Sequence, residues 1–77
     1  MGITNFKKAP LNEFDIVRIA ENEGGYNYYL YLHPSGQVII MREDINNKEY
    51  LFADGGNDLE NAWANRASLN YDLRSKI

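Results

Sequence analysis

The run Tyr26-Asn27-Tyr28-Tyr29-Leu30-Tyr31-Leu32-His33, then Pro34-Ser35-Gly36, then Gln37-Val38-Ile39-Ile40-Met41-Arg42-Glu43, decides the fold. Two segments rich in β-branched and aromatic residues flank a short turn, the pattern of a β-hairpin. Pro34 presets φ at about −65°, which suits the second position of a type I turn. Gly36 can then take the left-handed backbone that closes a three-residue loop with a bulge. That loop fixes the register: His33 faces Gln37, Leu32 faces Val38, Tyr31 faces Ile39, Leu30 faces Ile40, Tyr29 faces Met41 and Tyr28 faces Arg42.

Side chains alternate along a strand, so the register sorts them onto two faces. One face carries Leu30, Leu32, Val38 and Ile40, with Tyr28 and Arg42 at its far end. The other carries Tyr29, Tyr31, Ile39 and Met41, edged by His33, Gln37, Asn27 and Glu43. Both are apolar, and a single helix can shelter only one. The aliphatic face is the better core, because it buries no polar atom. The tyrosine face is expected to stay open unless the N-terminal segment or a second chain covers it.

Outward from the hairpin, Lys48 to Ala53 reads as a further strand, joined through Asp44-Ile45-Asn46-Asn47, where Asn46 and Asn47 tolerate left-handed backbone. Upstream, Asp15, Arg18 and Glu21 have helix-like spacing. Phe14 to Ile19 is nevertheless β-branched and aromatic, so Phe14 to Glu21 is read as a strand, with Gly24-Gly25 as the turn into Tyr26. Four strands in sequence with short connections make an antiparallel meander. Downstream, Asn57 is a candidate N-cap, Glu60 can reach back to the cap amide, and Asp58 suits the positive helix N-terminus. The predicted helix spans Asp58 to Leu73 and presents Leu59, Ala62, Trp63, Ala67, Leu69 and Leu73 on one face, with Trp63 as its anchor. Arg66 and Asn70 project into that face, Arg66 with its stem on the core and its head in water. Residues 1–12 form a lead-in containing Lys7, Lys8 and Pro10, from which Ile3, Phe6 and Leu11 can dock onto the sheet. The expected whole is one α+β domain over 1–77: lead-in 1–12, antiparallel sheet 14–53, and one C-terminal α-helix, 58–73, packed on one face.

Composition narrows the function. The chain has 77 residues, no cysteine and a net charge of −3. A domain this small buries only about 60% of its unfolded surface. No thiolate is available as a nucleophile or ligand, and no apolar run approaches a membrane span. The absence of cysteine is compatible with a reducing, cytoplasmic setting. His33 is the only histidine and begins a turn, with no Ser, Cys or carboxylate pattern marking it as a base. The run Asp54-Gly55-Gly56-Asn57-Asp58-Leu59-Glu60 lacks the ligand spacing of an EF-hand and the lysine of a phosphate loop, so a turn followed by a helix cap accounts for it. Glu43 and Asp44 are adjacent and point oppositely on a strand, a poor acid/base pair. No catalytic residue, metal site or cofactor is expected.

A non-enzymatic protein-binding module fits these features. Its partner-binding residues are Tyr29, Tyr31, Ile39 and Met41 on the second face with Glu43 and Asp44 beside them, and a homodimer is one form the partnership can take. Tyr and Met are enriched at interfaces. The alternative is a small nucleic-acid-binding regulator that stacks bases on the tyrosines, with Arg42, Lys48, Arg66, Arg74 and Lys76 around them. No Lys or Arg lies between Tyr26 and Met41, which disfavours direct nucleic-acid binding.

In size, acidity, absence of cysteine and meander-plus-helix layout, the whole chain resembles the small inhibitors that phages encode against bacterial defences, anti-CRISPR proteins among them. The resemblance supplies no site residue. It implies a host-cytoplasmic protein that acts sterically, either with an acidic face occupying the basic nucleic-acid channel of a target complex or with a dimer clamping that target. Complementary charge would speed and orient such an encounter.

Overall fold

The structure is a computed structural model and describes residues 8–77. Its centre is a four-stranded antiparallel sheet in the order β1-β2-β3-β4: β1 Asp15–Glu23, β2 Tyr26–Leu32, β3 Val38–Asp44 and β4 Glu49–Asp54. The β2–β3 register agrees pair for pair with the sequence reading, from Tyr28 opposite Arg42 to Leu32 opposite Val38. The loop that sets it closes as expected. Gly36 is left-handed at φ 97°, its amide donates to the His33 carbonyl at 2.8 Å, and the His33 amide donates to the Gln37 carbonyl at 3.0 Å.

The other two connections solve the same geometric problem with different residues. Gly24 and Gly25, at φ 63° and 90°, turn β1 into β2. In the β3–β4 turn the left-handed residue is Lys48, at φ 56°, rather than Asn46 or Asn47. The Asp44 carboxylate explains the shift. It accepts from the Asn46 and Asn47 amides, both at 3.1 Å, and so draws those two residues into an ordinary right-handed turn, leaving the reversal to the residue after them.

The helix is much shorter than the sequence predicts. α1 spans only Leu59–Ala64, capped by Asp58, whose carboxylate accepts from the Asn61 amide at 3.1 Å. Asp58 replaces Asn57 as the cap, and Glu60 turns away to pair with Arg18. Past Ala64 the chain forms a 3-10 turn, Arg66–Ser68, and then extends until Asp72 makes an antiparallel bridge to Phe52 on the outer edge of β4, with hydrogen bonds of 2.7 and 2.8 Å. Asn61, Asn65, Ser68, Asn70 and Asp72 supply side-chain alternatives to helical backbone pairing throughout this run. Asn65 takes one of them, donating from its amide to the Asn61 carbonyl at 2.9 Å. The bridge to β4 satisfies backbone groups at the sheet edge that a longer helix would have left to water.

The core lies between α1 and the aliphatic sheet face. Leu30, Val38 and Ile40 are fully buried there with Tyr28 and Ala62, and Leu59, Trp63, Leu69 and Tyr71 pack around them. Trp63 is half-buried at the margin and Ala62 holds the centre; Ala67 and Leu73 stay exposed because the helical turns that would have carried them inward do not form. α1 can approach the sheet closely because residue 55 is glycine. A Cβ there would lie 2.6 Å from Cγ1 of Val38 and 3.1 Å from Cβ of Ala62. Among the described residues, no helix is long and apolar enough to cross a membrane.

Candidate interaction surface

The second sheet face is assembled by cross-strand register. Ile16, Tyr31, Ile39 and Asp54 form one row, Ile19, Tyr29, Met41 and Phe52 the next, and Asn27, Glu43 and Tyr50 a third. Its hairpin end is roofed by the chain's own segments. Lys8 pairs with Asp54 at 2.8 Å, the Ala9 amide donates to Oε1 of Gln37 at 2.9 Å, and Arg74 donates to the Ala9 carbonyl. Leu11 is half-buried and Phe14 is buried beside His33, with ring centroids 5.1 Å apart. Ile3 and Phe6 lie outside the described residues.

This roof corrects the expected extent of the open surface. Ile39 is completely buried and can contact no partner. Tyr29, Tyr31, Met41 and Phe52 are half-buried, while Ile16, Ile19 and Tyr50 are 49, 56 and 53% exposed. What remains open is a slanting apolar strip that runs from β1 across the middle of the sheet.

Ile16 and Ile19 escaped the sequence reading because of a bulge. β1 shifts register between Ile16 and Arg18, with Val17 as the extra residue, so Ile16 and Ile19 reach the same face three positions apart. The same shift gives Arg18 the side that faces α1, where it forms a bidentate pair with Glu60 at 2.9 and 2.6 Å. The helix-like spacing in this segment is thus the signature of a bulged strand. β1 is also the freer sheet edge, since Asp72 occupies part of the outer side of β4. Its two register shifts keep that edge from presenting a flat template.

The two carboxylates proposed beside the strip have separate fates. Glu43 lies on it, accepting from the Asn27 amide at 3.1 Å, the Tyr29 hydroxyl at 2.8 Å and the Tyr50 hydroxyl at 3.2 Å. These donors hold its carboxyl below the ordinary carboxylate range, Asn27 contributing most and Tyr29 next. The same bond to Glu43 raises the Tyr29 hydroxyl, and burial raises that of Tyr31. Asp44 belongs to the opposite face and to the turn: Asn47, through its amide and its side chain, holds it low. Of the cations expected around the tyrosines, Arg74 lies in the roof at the hairpin end, bound to the Ala9 carbonyl, and three others lie elsewhere. Arg42 and Arg66 lie on the α1 side, Arg66 bound to Glu23 at 3.0 and 2.9 Å, and Lys48 sits in a turn.

His33 has neighbours that its place in the sequence does not reveal. Nδ1 lies 2.8 Å from Oγ of Ser35, and Nε2 lies 3.2 Å from Oε1 of Glu13. The Ser35 amide donates to Nδ1 at 3.0 Å, which leaves the ring proton on Nε2, facing Glu13. The order carboxylate, imidazole, hydroxyl is that of an activated serine. Yet the amides that could hold an oxyanion are committed: Ser35 to the ring, Gly36 to the His33 carbonyl, and Gln37 to Oγ of Ser35 at 3.4 Å. The cluster ties the hairpin tip to the 3-10 turn Leu11–Glu13 that precedes β1. Among the described residues, no group of three or more His, Cys, Asp or Glu side chains could hold a metal ion.

Compared with protein-family models, curated proteins and solved structures, the chain matches none.

Proposed function

We propose that the protein is a non-enzymatic interaction module that docks another protein on the strip formed by Ile16, Ile19, Tyr29, Tyr31, Met41 and Tyr50. One observation carries this reading: large apolar side chains stay half-wet on one sheet face while α1 seals the other. Tyrosines suit such a surface because they combine apolar area with a hydroxyl at low entropic cost. Glu43, pinned at the edge with its charge retained, supplies an acidic rim that would favour a basic partner. Together with the acidic charge, this supports the further reading of a phage inhibitor that blocks a bacterial defence complex sterically, working in the host cytoplasm, alone or as a dimer.

The test uses two variants, Tyr31→Glu and Ile19→Glu. Ile19 is exposed, so its substitution leaves folding intact even if Tyr31→Glu does not. Light scattering gives the mass in solution, and co-purification from the source cell gives the partner. The expected result is a folded Ile19→Glu protein that loses a partner or a self-association the wild type retains. Unchanged mass and unchanged co-purifying proteins in a folded variant would overturn the reading.

A further inference from the structure

At the end of the α1 side far from the hairpin tip, Arg42 is held between two aromatic rings. Its guanidinium carbon lies 4.5 Å from the centroid of Tyr26 and 4.5 Å from that of Tyr71. The clamp is itself fixed. The Tyr71 hydroxyl donates to the Arg66 carbonyl at 2.6 Å, and the Tyr71 and Tyr26 rings each pack against buried Tyr28, at 6.1 and 6.2 Å between centroids.

Every other arginine has an acceptor: Arg18 has Glu60, Arg66 has Glu23 and the Trp63 carbonyl, and Arg74 has the Ala9 carbonyl. Arg42 has none among the described residues, and its Nε is buried without a partner. Residues 1–7 contain no Asp or Glu, so no side-chain carboxylate of theirs can pair with it. Asp44, the near neighbour whose carboxyl responds to Arg42's charge, spends its oxygens on Asn46 and Asn47 and makes no ion pair with it.

The geometry points to Arg42, clamped by Tyr26 and Tyr71, as a receptor for a single carboxylate presented by an acidic side chain or C-terminus of a partner protein. A guanidinium presents a planar fork that matches a carboxylate bidentately. Stacking has already removed the rotamer freedom that such a bond would otherwise cost. With Nε buried, the pair of Nη groups at the outer end of the fork is the edge left to a ligand, and Arg42 as a whole retains partial exposure. A carboxylate fits better than a phosphate dianion, because one guanidinium balances one charge, Asp44 adds negative potential nearby, and Glu23 and Arg66 offset each other as a pair. This site faces away from the tyrosine strip, so it stands or falls independently of the docking proposed there.

The experiment is an acetate titration of the intact protein at constant ionic strength, maintained with chloride, read by the guanidinium Nε–H resonances in NMR. The Arg42 resonance is expected to shift saturably with a midpoint in the millimolar range, while those of Arg18 and Arg66 stay in place. A folded Arg42→Lys variant is expected to lose the accompanying saturable shifts at the amides of Met41 and Leu51. Should that variant not fold, the chloride-controlled comparison of Arg42 with Arg18 and Arg66 in the wild type decides alone. A linear drift shared by all three resonances would overturn the proposal. Tighter binding of inorganic phosphate than of acetate at the same pH would overturn the carboxylate assignment.

Discussion

On the α1 side of the sheet, Leu30 and Ile40 lose all contact with water; one residue along the same two strands, Tyr29 and Met41 keep part of theirs, and Ile19 beside them is 56% exposed. The two faces were equally apolar in the sequence. Their different burial traces to what happens at the chain's ends. α1, although only six residues long, reaches the middle of its face because Gly55 and Ala62 let it come close. The lead-in and the C-terminal 3-10 turn, Arg74–Lys76, reach only the hairpin end of the other face and stop at Ile39. Hydrophobic patterning sets which residues share a face, and the length and attachment of the covering segments set how much of that face becomes core.

The largest effect should come from cutting into the sealed face. Ile40→Ala is expected to cost about 2–5 kcal/mol of stability in urea denaturation, the range for a buried aliphatic that leaves a cavity. The matched cut on the open face, Ile19→Ala, should stay within about 0.5 kcal/mol of wild type. Equal losses at the two positions would break the comparison. Gly55→Ala probes the close approach directly. The added methyl would meet Val38 Cγ1 at 2.6 Å, so a loss of about 1–3 kcal/mol from overpacking is expected by the same measurement, and a neutral result would mean that α1 stands further from the sheet.

A smaller effect follows from pH. Hydrogen bonds hold Glu23 and Glu60 to arginines, and Glu43 to Asn27, Tyr29 and Tyr50, all with pKa values below the ordinary 4.5. A carboxyl lowered by folding adds stability that is fully present above its unfolded pKa and is lost as pH falls through the folded value. Thermal midpoints should therefore be flat from neutral pH down to about 5, then drop with acid. Glu43→Gln should blunt part of that drop by removing the open-face contribution alone. These pairs are solvent-exposed, so each contribution is modest.

The central hairpin was legible down to its register because Pro34 and Gly36 dictate one loop and the loop dictates the pairing. The meander and the identity of the α1-facing residues followed from alternation. The helix length was not legible. Leu59, Ala62, Trp63, Leu69 and Leu73 fit a helical period, but that period does not register the pull of Asn65 on its own turn or of the β4 edge on Asp72. The candidate surface was half legible. Tyr29, Tyr31 and Met41 were placed correctly on the second face. Ile39 was misjudged as open because the reach of the lead-in lies in tertiary contacts such as Ala9 to Gln37. Ile16 and Ile19 were hidden by a bulge whose extra residue breaks the two-residue period.

The claim that the exposed strip is a docking surface is tested most directly by site-specific photo-cross-linking in the source cell. A photoreactive residue is placed at Ile19 on the strip and, for contrast, at Ala64 on the outside of α1; both positions are exposed. A discrete adduct with another polypeptide, or with a second copy of the chain, is predicted from position 19 and not from position 64. Adducts of equal yield from both positions, or none from position 19, would contradict it.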